Sequence, residues 1–476
     1  MSYNNATLIR RNLLTNICKM LFEDSLVESI DRLPYDMCKR EDKPIRCCVH
    51  KDRAVVKYQA MAVLGFNVSD ETDEATPLSD YAKQAIDRTD FTDVMMTVVD
   101  EACSSCIRVN YAVTNFCRLC VGHPCTFACK QGAITLGSRQ SEIDPTKCVN
   151  CGMCMQACPF NAIIYQPVPC EAACPVGAIY RNEKGVQEID EEKCIYCGRC
   201  KDACPYGAVM EKTYLVQIIQ AMREGKKVVA MVAPAIMGQF SCEPEKIMGA
   251  IKEAGFSEVI EVAKGANVTS ATEAAEFEER MEHGERMMTT SCCYAYTRLV
   301  DRYIPELKPF VSDTRTPVHY TAEMIKNRQP DCVTVFIAPC VSKRHESFHD
   351  ENIDYVMSFE ALLAMLEAKN ININQTEPIP LDSEIDYSGR AFPYIGGVTE
   401  SVKHYAKDPD SIKPMIIDGI DRAAIRTLRG LAKNSNGVNL VEVMACPGGC
   451  VNGCDTLMNP KTATRQIKKL AQPPKE

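Results

Sequence analysis

Apolar positions fall at helical intervals near the start of the chain and at strand intervals towards its end. Residues 8–26 show a heptad-like spacing and 55–66 form a mostly apolar run, so the first hundred residues are expected to be largely helical. From 213 a helix over 213–224 leads into a strand over 227–232, closed by Ala233-Pro234-Ala235. Strand-like runs recur at 256–260, 333–337, 415–417 and 438–443, with helical patterns between them. That alternation predicts an α/β domain built as two sheet-containing lobes.

The length, 476 residues, exceeds what one core organises, and two or three domains are expected. We divide the chain into a mostly helical region of unknown role (1–100), a cysteine-rich tract (101–212) and the α/β domain (213–476). Apolar content of 46% and charged content of 25% are those of an ordinary globular protein. A net charge of −9 argues against nucleic acid or an anionic membrane as partner. No apolar run approaches the ~18 residues of a membrane span, and MSYNNATLIRR does not read as a signal peptide, so the expected location is the cytoplasm.

Cysteine changes the picture. There are 28, and sixteen lie between Cys103 and Cys204. Disulfide scaffolds are short and exported, whereas reduced thiolates on iron suit a long chain of this kind. Two full C-x2-C-x2-C-x3-C-P motifs occur, at Cys148, Cys151, Cys154, Cys158 and at Cys194, Cys197, Cys200, Cys204. In two-cluster ferredoxins the first three cysteines of such a motif hold one [4Fe-4S] cluster and the fourth serves the other. HPCTFACKQGAI, with Cys125 and Cys129, recurs 45 residues later as VPCEAACPVGAI, with Cys170 and Cys174, which marks two tandem ferredoxin-like (α+β) modules.

The first module has a leading pair, Cys117 and Cys120; the second has none, while Cys103 and Cys106 are a pair without a module. Sixteen cysteines make four sets: Cys117, Cys120, Cys125, Cys158; Cys148, Cys151, Cys154, Cys129; Cys194, Cys197, Cys200, Cys174; and Cys103, Cys106, Cys170, Cys204. Pairing the two full motifs with each other is the alternative. Cys38, Cys47, Cys48 and His50 also lie near one another, but their spacing matches no ligand pattern and we read them as structural.

Three further cysteine loops lie in the α/β domain, two of them after strand-like runs: TSCCYAY (290–296), APCVSKRHE (338–346) and EVMACPGGCVNGC (442–454). Sheets of this class gather functional groups at strand ends, so the loops can converge on one metal cluster. In order and content they resemble the three signatures of the iron-only, or [FeFe], hydrogenases, TSCCPxW, MPCxxKxxE and ExMxCxxGCxxGG. The resemblance covers residues from about 140 to 460 and implies the family's two-lobed catalytic domain behind the iron–sulfur modules.

It further implies that Cys293, Cys340, Cys446 and Cys450 hold a [4Fe-4S] cube, with Cys450 bridging to a diiron subsite that carries CO, CN⁻ and a bridging dithiolate. Cys292 would pass protons rather than bind iron, and Lys343 would hydrogen-bond a cyanide. By spacing alone Glu273, Glu276 and Arg280 are one face of a helix over 272–280, ordinarily a solvated face. The resemblance makes them, with Ser312, a proton relay running Cys292, Glu273, Ser312, Glu276, Arg280. Departures from the family pattern are Tyr294, Tyr296, Val318, Ala338 and Cys454, which mark a divergent branch and an altered pocket.

The expected function is reversible hydrogen oxidation and proton reduction. About four accessory [4Fe-4S] clusters would carry electrons to a soluble carrier such as ferredoxin, with maturation proteins supplying the diiron subsite. No glycine-rich dinucleotide fingerprint follows a strand, which argues against direct use of NAD(P)H. The alternatives are a hydrogen sensor of low turnover and a non-catalytic iron–sulfur assembly relative.

Overall fold

The structure, a computed structural model, describes residues 4–103, 106–107 and 109–473. Val228–Val232 reads Val-Val-Ala-Met-Val and is buried at every position, as a strand covered on both faces must be. It runs parallel between Glu258–Glu261 and Val333–Ala338, and Tyr355–Ser358 completes a four-stranded sheet. A second parallel sheet places Leu440–Met444, also buried throughout, between Met288–Thr289 and Pro414–Asp418. These are the two sheets of an α/β fold preceded by ferredoxin-like modules.

The expected strands lie within a residue or two of the observed ones. Met288–Thr289 has too few residues for any periodicity to show, yet its pairing of Thr289 with Val441 aligns the loop of Cys292 and Cys293 with the loop of Cys446. The helix expected over 272–280 is the second half of a longer one, Ala263–Glu282.

The first hundred residues form the helices Asn5–Phe22, Leu26–Ser29, Leu33–Met37, Val49–Val63 and Leu78–Asp87, with short 3-10 turns and a final strand, Met96–Val98. Their buried side chains, among them Leu13, Ile17, Val55 and Met61, join a core continuous with the four-stranded sheet. Arg10 pairs with Glu360 at 2.7 Å across that junction.

In the cysteine-rich tract Tyr111–Val113 pairs antiparallel with Ile163–Tyr165, and Met96–Val98 pairs in the same way with Val209–Glu211. Strand pairing therefore encloses the first module within the second, whose opening strand precedes both. Cys103 and Cys106 follow Met96–Val98 as Cys117 and Cys120 follow Tyr111–Val113. Equivalent hydrogen bonds repeat: Gln187 N–H to Cys103 Sγ at 3.3 Å matches Ser141 N–H to Cys117 Sγ at 3.5 Å. No described helix is long and apolar enough to cross a membrane.

Candidate metal centre and proton path

The third loop is the most constrained. Glu442, fully buried, accepts hydrogen bonds from Gly396 N–H (2.7 Å), Thr399 N–H (2.8 Å) and Thr399 Oγ1 (2.7 Å) at the first turn of the helix Gly397–Tyr405. Burial raises its pKa, and the donors work against that rise. The strand end is thereby fixed, and Cys446 follows it. Gly448 and Gly449 then turn the chain with φ of +85° and +95°. A Cβ on Gly449 would lie 2.6 Å from the Pro393 carbonyl oxygen, so only glycine fits there.

The other loops close on it. Cys293 Sγ accepts the Ala445 N–H at 3.4 Å, and Cys340 precedes the helix Val341–Phe348. Burial first, and then the charges of neighbouring thiols, push Cys340 and Cys446 up and Cys450 to about 12. Buried thiols that oppose one another's ionisation become thiolates only beside a cation. The donor set, four sulfurs from three loops, fits an iron–sulfur cube.

Beside it lies a cavity whose wall is apolar: Val262, Val318, Phe336, Phe392 and Met444. The groups in it with chemistry to offer are Cys292, Lys343 and Cys450. Lys343 Nζ donates to the Cys292 carbonyl at 2.9 Å and to Glu346 Oε2 at 2.6 Å. Burial acts to lower the lysine pKa, but the Glu346 charge outweighs it, so the ammonium stays charged. Burial, with the charge of Glu273 next, holds the Cys292 thiol well up and therefore protonated.

From this cavity a chain of polar groups runs outward. Glu273 is fully buried. Its Oε1 accepts the Ser291 N–H at 3.3 Å, and Ser312 is near enough to act on the same carboxyl. Burial pushes this carboxyl up to about 8, where it can hold or release a proton near neutral pH. Ser312 Oγ donates to Glu276 Oε2 at 2.6 Å, and Arg280 pairs with Glu276 at 2.7 Å. Glu276 is partly buried, which opposes ionisation, yet Ser312, Asp313, Thr314 and Arg280 together bring its pKa below the usual value. Arg280 also pairs at 3.0 Å with Asp313, whose side chain is 95% exposed.

Three participants were missed by the sequence reading. Thr314 Oγ1 donates to Glu276 Oε2 at 2.7 Å, the Asp313 N–H donates to Glu276 Oε1 at 2.9 Å, and Ser291 holds Glu273. Their signal was adjacency: a second hydroxyl two residues after Ser312, and the residue before Cys292.

The departures do not gather at one place. Val318 lines the cavity as expected. Tyr294 instead faces His345 Nδ1 at 3.0 Å, and Tyr296 Oη donates to Thr289 Oγ1 at 2.8 Å in the second lobe's core. Ala338 is buried at its strand end, and its neighbour Pro339 lines the cavity in its place. Cys454 stands against Gly198, at which a Cβ would lie 2.3 Å from its sulfur. Of these residues Val318 is the one whose own side chain lines the cavity.

In the modules, one small cavity is lined by Cys117, Cys120, Cys125 and Cys158. Cys103, Cys106 and Cys204 are near enough that, after burial, their charges raise Cys170 to about 12. Burial first, then the charges of Cys197, Cys194 and Cys174, raises Cys200, and burial followed by Cys148 and Cys151 raises Cys154. Cys129, Cys158, Cys174 and Cys204 each accept the N–H four residues on, at 3.2–3.4 Å. Among Cys38, Cys47, Cys48 and His50, the sulfurs of Cys47 and Cys48 lie 3.9 Å apart and the Cys38 carbonyl accepts from Arg53. The one group of three ligand-type side chains close enough for a single ion among the described residues is Glu211, Cys454 and Asp455. Lys201 Nζ already sits on both of its carboxylates.

Known proteins resemble the chain in these same two regions. The family model of the iron only hydrogenase large subunit, C-terminal domain, matches residues 226–454, and that of the 4Fe-4S binding domain matches 141–164 and 188–210. The chain is 28% identical over 400 residues to iron hydrogenase 1 of Clostridium pasteurianum, covering 70% of this chain and 68% of that one. It is 28% identical over 371 residues to the periplasmic [Fe] hydrogenase large subunit of Nitratidesulfovibrio vulgaris, covering 66% and 85%. It is 23% identical over 282 residues to the cytosolic Fe-S cluster assembly factor NAR1 of Kluyveromyces lactis, covering 44% and 60%. A solved apo structure of an [FeFe]-hydrogenase HydA1 variant from Chlamydomonas reinhardtii aligns at a TM-score of 0.43 and 19% identity, over 53% of this chain and 88% of that one. Residues 226–454 belong to the [FeFe] hydrogenase large-subunit family, and the tract before them carries [4Fe-4S] binding modules.

Proposed function

We propose that the protein catalyses 2H⁺ + 2e⁻ ⇌ H₂. Cys293, Cys340, Cys446 and Cys450 hold a [4Fe-4S] cube, and the adjoining cavity takes a diiron subsite. When bound, that subsite supplies an open iron position at which hydrogen is split or formed. The protein does the rest. The apolar wall excludes water, so protons must travel through side chains. Cys292, Glu273, Ser312, Glu276 and Arg280 form that path, inner end first, and Lys343 presents an N–H donor to a diatomic ligand from inside the cavity. Electrons pass through four accessory clusters in the cysteine sets given above, and a soluble carrier of the ferredoxin type exchanges them with the outside.

The observation that carries this reading is the polar chain from Asp313 and Arg280 through Glu276 and Ser312 towards Glu273, which sits on the buried face of its helix beside Ser270, Ala274 and Phe277. A cube alone needs no proton path and no buried lysine. That weighs against the reading suggested by the assembly-factor relatives, in which the chain binds clusters without turnover. Protein matured with the diiron subsite should evolve hydrogen from reduced methyl viologen and take it up with oxidised viologen. Fully loaded protein with neither activity nor hydrogen–deuterium exchange would leave the assembly reading standing.

A further inference from the structure

The two ferredoxin-like modules repeat one another, so a position in one has a counterpart in the other, 46 residues away through the full motifs. In the second module the loop of the full motif is buried against the catalytic domain. Ile195 is 1% exposed in a core shared with Tyr296 and Leu299. Tyr196 stacks on His345 with ring centroids 3.9 Å apart, and Arg199 donates to the Ala445 carbonyl at 3.0 Å. Cys197 is close enough to Cys446 to act on its thiol. This face is how the modules meet the catalytic centre.

The first module carries the same face uncovered. Val149, the counterpart of Ile195, is 60% exposed, and Met153, the counterpart of Arg199, is 45% exposed. Cys151, the counterpart of Cys197, is exposed as well. Val176 packs into the catalytic core, and its counterpart Gln131, beside the exposed Lys130, does not. Lys147, counterpart of the lysine beside Tyr303, rims the same loop and pairs with Asp144 at 3.5 Å. The charge is local too. Residues 111–166 hold four basic side chains against two acidic ones, in a chain of net charge −9.

We propose that the face around Val149 and Cys151 is the docking surface for a small acidic redox protein. The partner's own cluster approaches Cys151 as the catalytic cube approaches Cys197, and one electron at a time passes between the partner and the cluster of the full motif. An apolar centre with a basic rim suits a partner with an acidic rim, and complementary charge speeds the encounter. A second copy of this chain docking through the same face would set basic rim against basic rim, and like charges oppose that pairing. The proposal rests on the reading that electrons enter and leave through the modules, and it deepens that reading by assigning the face.

The test uses holoprotein and an acidic ferredoxin carrying two [4Fe-4S] clusters, at low ionic strength. Val149→Asp and, separately, Lys147→Glu are compared with Lys461→Glu, an exposed lysine on the last helix. Iron content and the reduced-cluster electron paramagnetic resonance spectrum show whether the clusters are intact. Both face variants should raise the Kd for ferredoxin at least tenfold with viologen-linked hydrogen turnover unchanged, while Lys461→Glu matches the parent. If Val149→Asp loses iron, Lys147→Glu decides by the same readout. Unchanged ferredoxin Kd in the face variants, or no ferredoxin binding by the parent, overturns the proposal. So does self-association of the parent that Val149→Asp abolishes, since the face would then join two copies. Weakened binding with no viologen-linked turnover in any form upholds the docking face and rejects the catalytic reading instead.

Discussion

Ser312 Oγ donates to Glu276 Oε2 at 2.6 Å, and Thr314 Oγ1 donates to the same oxygen at 2.7 Å. One carboxylate oxygen is thus held by two hydroxyls with different duties. Ser312 acts on Glu273 as well, whereas the Thr314 hydroxyl is bonded to Glu276 and its carbonyl accepts from Ser291 Oγ. Ser312→Ala should therefore interrupt proton passage while Thr314 keeps Glu276 in place. We expect hydrogen turnover to fall by ~10² or more in Ser312→Ala and by less than about tenfold in Thr314→Ala. Viologen-linked turnover in both directions, with iron content unchanged, checks this; equal losses would show that Ser312 acts only by packing.

Cys292→Ala addresses the inner end of the path. Its thiol lines the cavity without being one of the four sulfurs assigned to the cube. Turnover should drop ~10²–10⁴-fold, the usual cost of losing a general acid or base. Cys293→Ala should instead abolish assembly of the cube. A Cys292→Ala enzyme with near-normal rates would mean that protons enter elsewhere.

Glu273 gives the protein a pH signature. Burial pushes its carboxyl from 4.5 up to about 8, so the folded state keeps a proton that the unfolded chain has lost. Where the folded state binds more protons, stability falls as pH rises. This contribution is intact below pH ~4.5, declines from there, and levels off above about 8, at a total cost of a few kcal/mol. Glu273→Gln should flatten that decline. Thermal midpoints under anaerobic conditions from pH 5 to 9 should converge near pH 5 and separate towards pH 9 in favour of the variant; parallel curves would contradict the buried-carboxyl account.

The extent to which the sequence revealed this arrangement differed from element to element. Val228–Val232 and Val333–Ala338 announced themselves because a strand covered on both faces is almost wholly apolar, Thr334 being the one polar residue in the two. The three cysteine loops were legible because metal ligation fixes both residue type and spacing. Met288–Thr289 was not, since two residues carry no period. The enclosure of the first module within the second was equally hidden: Met96–Val98 pairs with a strand more than a hundred residues later, and only that pairing shows why Cys103 and Cys106 stand apart. Tyr294 and Ala338 show the converse limit, because a motif position does not say which way its side chain points.

That enclosure makes the double variant Cys103→Ala, Cys106→Ala informative. Full loading corresponds to about 22 iron atoms: about four in each of five [4Fe-4S] clusters and two in the diiron subsite. The double variant should retain about 18 and keep its diiron subsite. Undiminished iron would assign Cys170 and Cys204 to other partners.

Gly448 and Gly449 both lie at positive φ, but only Gly449 faces backbone. Gly448→Ala should cost ~1 kcal/mol of conformational strain and still load the cube. Gly449→Ala should drive a methyl into the Pro393 carbonyl and prevent loading. Iron and sulfide counts after anaerobic reconstitution distinguish the two; equal loading would mean that the loop can relax.

We propose that the cavity beside Cys450 and Lys343 takes a diiron subsite with diatomic ligands. Infrared spectroscopy of protein matured with that subsite tests it most directly. Sharp bands are expected in the CO and CN⁻ stretching regions, persisting in Cys292→Ala and shifting in Lys343→Ala. A protein that loads its full complement of [4Fe-4S] clusters under the same maturation, yet shows no band in either region, would contradict it.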